Sequence, residues 1–311
     1  MENILNFSIF PRRFITALSS MIILNKIIKN LKGNTIVHSM QSNIAAIIIC
    51  YFNKKKIVIR NSENPIYSAI NSENKFIAFC VIILKLIFYN FCDGIITNSK
   101  GSAKSLRYFL FNKKKIKQIY NPYLSKINNK KYNKKNFIIN IARLRKQKDH
   151  VTLLKAFKLF WLKNRNYKLI ILGHGNLENK LKKITFELGI NKFVKFIGWK
   201  KDTSIYLKKS KIFILSSIYE GLGNVLLDAI NYDNVCISTN CPSGPSEILL
   251  NGKGGLLVKP KSPKLLAKKI QFSIDNYSLL KKKNQYAKQK LNRFLIKDNS
   301  QKYFNYLEKF Y

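Results

Sequence analysis

The sequence predicts an α/β protein built from two parallel-sheet domains. Strand-like apolar runs alternate with helix-like runs along most of the chain, and a polar stretch rich in lysine and asparagine divides the alternation into two sets. Such alternation makes a parallel sheet covered by helices on both faces. A length of 311 residues also fits two domains. We predict a first domain at 1–122, a linker at 123–136, a second domain at 137–290 and a helical tail at 291–311.

The first domain is predicted to contain three strands, each bordered by helices. Apolar, β-branched runs predict strands at 35–38, 56–59 and 94–97, and longer runs with helical periodicity predict helices at 13–30, 43–52, 76–92 and 99–110. Ser99 is the candidate N-cap of the last helix.

The apolar run at 76–92 raises the question of a membrane span. Lys85, Tyr89 and Asn90 interrupt it, and it falls short of the roughly 20 residues that a spanning helix needs. We therefore expect a buried or membrane-touching helix here.

The second domain is predicted to be a whole Rossmann-type unit. The polar stretch that begins at Asn121-Pro122 has the composition of a linker. After it, strands are predicted at 137–142, 168–172, 194–197, 212–215, 235–238 and 255–258, with helices at 150–164, 177–188, before 209, at 224–230 and from 263 to the end.

The charge of the chain is strongly basic but evenly spread. Its 57 lysines and arginines against 15 acids give a formal net charge of +42. No basic stripe, zinc module or aromatic RNA-binding motif accompanies this charge, so we do not expect a nucleic-acid partner. An anionic membrane surface fits better, because lysines beside apolar helices are attracted to it. The runs at 113–115 and 281–283 are candidate contacts, with a solvated face as the alternative.

The cysteines and the start of the chain indicate a cytoplasmic protein. The five cysteines show no CxxC spacing and no neighbouring histidine cluster, so neither a metal site nor a disulfide framework is expected. Residues 1–7 lack the basic segment, apolar core and cleavage site of an export signal. We expect a protein on the cytoplasmic face of the inner membrane.

Basic residues follow the first strand of the second domain. Arg143 and Lys148 lie in the segment 141–148, at the carboxyl edge of the sheet, where open α/β folds bind ligands. An arginine fork and a lysine point charge together could neutralise a diphosphate. A solvated basic loop is the alternative.

Glycine turns follow the next two strands. Gly173 and Gly175 flank His174, and Gly198 precedes Trp199. These turns could let the backbone approach a ligand, and the indole could border a nucleotide base or belong to the core. The turn at 241–247 could offer polar contacts at the same edge or serve only as a structural turn.

The most informative segment is 216–229, where a strand passes through a glycine turn into a helix. Glu220 and Asp228 lie on either side of Gly221 and Gly223. Helix N-termini behind glycine turns bind anions, and carboxylates in such a cleft accept hydrogen bonds from sugar hydroxyls. Alternatively, Glu220 is an acid of an exposed loop and Asp228 is an acid on the surface of a helix.

Together these segments resemble the family 4 retaining glycosyltransferases, also called group 1, which have the GT-B fold of two facing Rossmann-like domains. The resemblance covers 140–260 well and the first half more faintly. It implies that Arg143 and Lys148 hold the donor diphosphate, Glu220 contacts the donor sugar and Asp228 contacts the ribose. Further donor-binding residues are implied by the resemblance or lie at the same edge of the sheet. They are Gly173, Gly175, Gly198, Trp199, Gly221, Leu222, Gly223, Asn224 and Val225.

The implied activity is transfer of a hexosyl or N-acetylhexosaminyl group from a nucleotide-sugar, with UDP expected, without metal or other cofactor. The acceptor would be a glycan or a polyprenyl-diphosphate-linked sugar in the synthesis of cell-surface polysaccharide or lipopolysaccharide. The basic residues would offset the charge of the departing diphosphate.

Two departures from the family pattern alter this expectation. Asp228 stands where relatives have glutamate, which predicts a looser or a rebuilt ribose contact. His38 resembles a position well inside the first domain of relatives, which predicts a first domain shortened at its front. Arg60 and Glu63 occupy the region where many relatives place a histidine near the reacting centre, so they are further candidates.

Two alternatives remain open. The chain could be a non-catalytic nucleotide-sugar-binding or partner protein derived from a truncated glycosyltransferase. It could also be a basic nucleic-acid-binding protein, which predicts steeply salt-dependent affinity for DNA or RNA.

Overall fold

The computed structural model describes residues 12–33 and 35–311, so the segment 1–7 examined for an export signal lies outside the described residues. The first domain holds a parallel sheet of four strands in the order β1-β2-β3-β4. These strands are β1 (Ile36–Ser39), β2 (Lys56–Asn61), β3 (Gly94–Thr97) and β4 (Ile116–Gln118). Its helices are α1 (Arg12–Lys29), α2 (Asn43–Phe52), α3 (Pro65–Ile70), α4 (Lys75–Phe88) and α5 (Lys100–Leu106).

Side-chain caps fix where several of these helices begin. The hydroxyl of Ser99 accepts a hydrogen bond from the N–H of Ser102 at 3.1 Å, which confirms the predicted cap of α5. Asn64 and Asn74 cap α3 and α4 in the same way. Helix α3 and strand β4 are additional to the predicted elements, and their six and three residues are too short to show a clear periodicity.

The second domain holds a parallel sheet of six strands in the order β10-β9-β8-β5-β6-β7. Its strands are β5 (Lys135–Ile141), β6 (Lys168–Leu172), β7 (Val194–Gly198), β8 (Ser210–Leu215), β9 (Val235–Thr239) and β10 (Leu256–Val258). After β5 the chain builds outward through β6 and β7, and it then crosses back to place β8 on the other side of β5. The helices that follow β5 and β8 therefore lie on opposite faces of the sheet, and a crevice forms at this point of its carboxyl edge.

Helices cover both faces of this sheet. They are α6 (His150–Trp161), α7 (Glu178–Glu187), α8 (Ser204–Lys209), α9 (Val225–Asn231), α10 (Pro245–Ile248), α11 (Pro263–Asp275) and α12 (Tyr277–Gln289). Alternate residues of β5 face opposite cores: Ile138 packs with Phe157 of α6, and Ile139 packs with Phe213 and Leu226. This two-sided burial explains why the strand is apolar throughout.

The residues after 290, predicted as a helical tail, pack against both domains: Leu291 and Phe294 belong to a core of the second domain, and the helix after them covers the first. Helix α13 (Ile296–Leu307) places Tyr306 in a core with Val58 and Ile96, on the face of the first sheet opposite α2. The hydroxyl of Tyr306 donates to the carbonyl of Lys115 at 2.8 Å. The end of the chain thus completes the core that its first half begins.

The predicted linker is also packed rather than free. Tyr123 and Leu124 donate their N–H groups to the carbonyl of Phe294, and Leu124 is buried. The ammonium of Lys134 donates to the carbonyls of Leu207 and Tyr232. Strand β5 begins two residues earlier than predicted, at Lys135, because the backbone of Lys135 pairs with Ser210 while its side chain stays exposed.

Polar contacts join the two domains beside the crevice. The carboxylate of Glu247 accepts hydrogen bonds from the N–H groups of Lys100 and Gly101 at 3.0 and 2.8 Å. Asn64 donates to the hydroxyl of Ser243 at 2.9 Å in a buried contact. The turn at 241–247, expected to bind ligand or to be structural, thus makes interdomain contacts.

Helix α4 differs from the prediction at 76–92. It ends at Phe88, a 3₁₀ turn follows, and only Ala78 is buried, so a buried helix was the wrong expectation. Within residues 12–33 and 35–311, no helix combines the length and the apolar character that a membrane crossing requires.

The packing of Tyr306 gives a test of this architecture. Tyr306→Ala should lower the free energy of unfolding by about 3 kcal/mol, because it leaves a cavity against Val58 and Ile96. Phe304→Ala on the exposed side of the same helix should cost less than about 1 kcal/mol. Urea unfolding measures both, and equal losses would contradict the packing of α13 on the first sheet.

Candidate active site

The crevice is built from the loops after β5 and β8, which are bonded to each other. The N–H of Ile218 donates to the carbonyl of Gln147 at 2.8 Å, and the hydroxyl of Ser216 donates to the carbonyl of Lys148 at 2.7 Å. The amide of Gln147 donates to the carbonyl of Tyr219 at 2.9 Å. These bonds hold the basic segment and the acidic segment at a fixed separation.

Lys148 and Glu220 form an ion pair at the centre of the crevice. Their Nζ and Oε1 atoms are 2.5 Å apart, and the side chains are 14% and 7% exposed. Ser217 donates to the same oxygen of Glu220 at 2.6 Å, so neither contact uses Oε2. Because both ions are largely desolvated, removing one partner would leave the other uncompensated, at a cost of about 3–5 kcal/mol.

A neutral histidine lies behind this pair. His150 is buried at the start of α6, and its Nε2 is 3.0 Å from Oδ1 of Asn140, whose amide donates to the carbonyl of Ile214. Burial, with a smaller contribution from the charge of Lys148, lowers the pKa of His150 to about 4. An uncharged ring therefore supports the loop without adding to its positive charge.

The ion pair faces a cavity of about 370 Å³ that residues of both domains line. The first domain contributes Arg60, Ser62, Glu63, Asn98 and Asn121, and the second contributes Ile141, Ala142, Arg143, Gln147, Lys148 and residues 220–225. The structure thus brings Arg143, Lys148, Glu220, Gly221, Leu222, Gly223, Asn224 and Val225 together, with the candidates Arg60 and Glu63 opposite them.

A polar chain crosses the cavity between the domains. Arg60 donates to Oδ1 of Asn121 at 2.6 Å, and the amide of Asn121 donates to Oδ1 of Asn224 at 3.0 Å. Two other polar atoms of the cavity residues, Nε of Arg60 and Oδ1 of Asn98, are buried without a hydrogen-bond partner in the described part of the chain.

Gly221 allows the domains to meet at this cavity. A Cβ atom at this position would lie 1.9 Å from the carbonyl oxygen of Ser62 in the first domain. Gly173 serves a similar need within the second domain, because it has a φ of +137° and a Cβ would lie 1.9 Å from the carbonyl oxygen of Ala142. Both glycines are required by backbone packing.

A second cavity, of about 720 Å³, continues from the first. The two share Glu63, Arg143 and Gln147, and the second also takes in His174 and Gly175. The exposed ring of His174 lies 3.2 Å from the carboxylate of Glu178. Arg143 is exposed between the two cavities and can reach a ligand in either.

Two predicted residues lie apart from both cavities. The carbonyl of Gly198 accepts the N–H of Gly173 at 2.9 Å, which ties the glycine turns together. Trp199 is 71% exposed, so it is not a core residue. Neither lines the cavity around Glu220 or the one that includes His174.

Asp228 is bonded within the protein rather than directed into the cavity. The hydroxyl of Tyr123 donates to Oδ2 of Asp228 at 2.5 Å. Burial raises the pKa of Asp228 to about 6, although the hydrogen bond from Tyr123 acts in the opposite direction. Burial and the neighbouring carboxylate raise the pKa of Tyr123 in turn.

Sequence reasoning missed Asn121 and Tyr123 because their polar surroundings predicted a linker. The signal that could have found them is Pro122, which fixes the backbone between the amide and the aromatic residue. For metals, the described residues contain no group of three or more His, Cys, Asp or Glu side chains placed to hold an ion.

Comparison with known proteins now decides the family. The sequence profile described as "Glycosyl transferases group 1" matches residues 124–290. An uncharacterized glycosyltransferase of Methanocaldococcus jannaschii is 31% identical over 318 residues, covering 91% of this chain and 77% of the relative. The chain belongs to the group 1 glycosyltransferases.

A further relative is named for a lipid-linked sugar, and two solved structures have a similar fold. The N-acetylgalactosamine-N,N'-diacetylbacillosaminyl-diphospho-undecaprenol 4-alpha-N-acetylgalactosaminyltransferase of Campylobacter jejuni is 28% identical, over 81% of this chain and 69% of that protein. The Anabaena HepE structure in complex with UDP matches with a TM-score of 0.79 at 16% identity, over 93% of this chain and 82% of that one.

The Staphylococcus aureus TarM structure in complex with fondaparinux, alpha-GlcNAc-glycerol and UDP has a TM-score of 0.78 at 17% identity. The match covers 92% of this chain, which spans 58% of TarM. These likenesses confirm the predicted GT-B fold of two facing Rossmann-like domains.

The raised pKa of Asp228 gives a pH-dependent test. Because the pKa is about 6 in the folded protein and 3.8 in an unperturbed aspartate, the stabilising contribution of the protonated carboxyl is complete below pH 3.8 and is lost as pH rises through about 6. Asp228→Asn cannot ionise and still accepts the bond from Tyr123. Its free energy of unfolding should therefore exceed that of the wild type by about 2 kcal/mol more at pH 7.5 than at pH 4.

Urea unfolding at a series of pH values measures this difference. Tyr123→Phe serves as the companion variant, since removing the bond that lowers the Asp228 pKa should move the loss of stability to higher pH. A difference between Asp228→Asn and wild type that stays constant with pH would contradict the burial of this carboxylate.

Proposed function

We propose that this group 1 glycosyltransferase is a retaining enzyme that transfers a sugar from a UDP-sugar to a glycan or lipid-linked acceptor in cell-surface polysaccharide or lipopolysaccharide synthesis. The observation that carries the proposal is the buried Lys148–Glu220 pair, which faces a cavity lined by both domains. A cation and an acid so placed suit a donor whose diphosphate leaves while its sugar stays bound.

Lys148 and Arg143 would hold the donor diphosphate. Both line the cavity beside the start of α9, where the N–H groups of Asn224 and Val225 and the helix dipole favour an anion. Glu220 would use Oε2 to accept a hydrogen bond from a donor hydroxyl, since its bonds to Lys148 and Ser217 go to Oε1. Gly221, Leu222 and Gly223 form the adjoining wall.

The nucleoside would extend toward the cavity shared by Arg143, His174 and Gly175. The predicted ribose contact of Asp228 requires the carboxylate to exchange its bond with Tyr123 for one with the donor. Gly198 and Trp199 lie outside both cavities and receive no direct donor contact in this proposal; Gly173 supports the loop.

Retention would follow from departure and attack on the same face of the sugar. The bond from the anomeric carbon to the diphosphate oxygen breaks, the acceptor hydroxyl oxygen forms the new bond, and the acceptor proton passes to the leaving diphosphate. Lys148 and Arg143 stabilise the negative charge that grows on the diphosphate as it departs, so we propose that no metal or other cofactor is required.

Relatives support the choice of substrates. The Campylobacter enzyme is named for an undecaprenol-diphosphate-linked acceptor, and the TarM and HepE structures contain UDP. Lipopolysaccharide core and capsular polysaccharide glycosyltransferases are also among the relatives. A lipid-linked acceptor would place this enzyme at the cytoplasmic surface of an anionic membrane.

The ion pair provides the test of this function. Lys148→Ala and Glu220→Ala should each lower the rate of sugar transfer at least about a hundredfold, because each removes a contact with the leaving group or the donor sugar. Glu220→Gln should give a comparable loss while keeping the shape of the site. UDP release in the presence of UDP-sugar and a polyprenyl-diphosphate-linked sugar measures the rate.

Lys182→Ala is the control, since Lys182 forms an exposed ion pair of 2.7 Å with Glu178 and lines neither cavity. It should change turnover less than about twofold. Calorimetry with UDP-sugars separates catalysis from mere binding: binding by the wild type without transfer would favour the non-catalytic alternative. Near-normal transfer by Lys148→Ala and Glu220→Ala would refute the proposed site.

A further inference from the structure

Apart from Lys75 at its first position, the outward half of α4 is apolar. Successive residues of an α-helix are offset by about 100°, and the exposed apolar side chains of α4 together cover about half of its circumference. They are between 39% and 76% exposed: Phe76, Ile77, Phe79, Ile83, Leu84, Leu86 and Ile87. A helix of a monomeric soluble protein normally presents charged groups on such a side, so this surface indicates a contact with something apolar.

Neighbouring elements extend this surface. Helix α1 exposes Ile22, Ile23 and Ile27, and both α1 and α4 pack against α2. At the end of α4, Tyr51 lies edge-on to Phe52 and Phe91, with ring centroids 5.8 and 5.4 Å apart, and all three are exposed. We call the exposed residues of α1 and α4 together with this aromatic cluster the apolar face.

Exposed lysines lie beside the apolar face. They are Lys26 and Lys29 of α1 and Lys54 after α2. Asn90, beside the end of α4, accepts the N–H of Phe111 at 2.9 Å, which brings the exposed Lys113 and Lys114 to the same end. Between residues 12 and 120 the sequence has 18 lysines and arginines against three acids. Apolar and aromatic residues with lysines beside them suit the interface of an anionic bilayer.

The apolar face borders an opening that leads to the candidate active site. A cavity of about 800 Å³ is lined by Leu84 and Lys85 of α4 and by Met21 of α1. It shares Arg60, Ser62 and Glu63 with the cavity that faces the ion pair. A molecule held at the apolar face could therefore reach Glu220 without leaving the protein surface.

We infer that the apolar face is a docking surface for an anionic lipid bilayer, with α4 lying in the headgroup region and the adjoining cavity open to amphiphiles from the membrane. Its role in delivering an acceptor rests on the proposed function, whereas bilayer docking does not. A second copy of this chain is a poorer occupant, since it would bring lysines against lysines of the same charge.

The test is vesicle flotation of the full chain. Wild type should float with vesicles of phosphatidylglycerol and phosphatidylethanolamine and much less with phosphatidylcholine alone. Combining Phe76→Gln, Phe79→Gln and Ile83→Gln should weaken binding at least about tenfold. The control combines Phe186→Gln, Ile205→Gln and Leu279→Gln, which change equally apolar and exposed residues of the second domain and should stay within about twofold.

Thermal unfolding, light scattering and UDP calorimetry accompany each variant. Equal flotation of wild type and the α4 variant, or no flotation of wild type with anionic vesicles, would overturn the inference. The inference would be overturned in favour of a second copy if the wild type is a dimer that does not float and the α4 variant is a monomer. If the wild type binds UDP but does not float, docking is refuted and the proposed function is not. If it floats through α4 but does not bind UDP, docking is supported and the proposed function is contradicted.

Discussion

The ion pair between Lys148 and Glu220 is the constraint on which the site depends. Two charges that are nearly removed from water are tolerated only in close contact, so the loops after β5 and β8 must meet with little freedom. The hydrogen bonds of Gln147, Ser216 and Ser217 supply that restriction. Because β5 and β8 are neighbours at the point where the strand order reverses, the pair is delivered to the crevice by the topology of the sheet.

The first domain completes this site mainly through its contacts with the second domain. Gly221 lies against the backbone of Ser62, and the chain from Arg60 through Asn121 to Asn224 spans the gap. The bonds of Glu247 to the backbone of Lys100 and Gly101 hold the domains together beside the cavity. Glycine at 221 is thus explained by domain contact, an origin that the glycine turn alone could not show.

Much of the second domain could be predicted because its elements are set by local patterns. The apolar runs of β6, β8 and β9 follow from adjacent residues, as does the cap at Ser99 in the first domain. The loops of Arg143, Lys148 and Glu220 then converge by the rule for parallel sheets. By contrast, the bond of Tyr123 to Asp228 and the exposure of Trp199 depend on residues distant in sequence. The buried and exposed sides of α4 could not be predicted, because a helix with apolar residues on almost every side does not show which of them faces the core.

The return of α13 to the first sheet has a consequence for how the chain acquires its shape. Val58 and Ile96 pack against Tyr306, which the ribosome adds roughly 200 residues later. That side of the first sheet therefore lacks this cover during most of synthesis. Contacts between such distant segments form slowly. The first domain can consequently complete its core only after α13 has been synthesised.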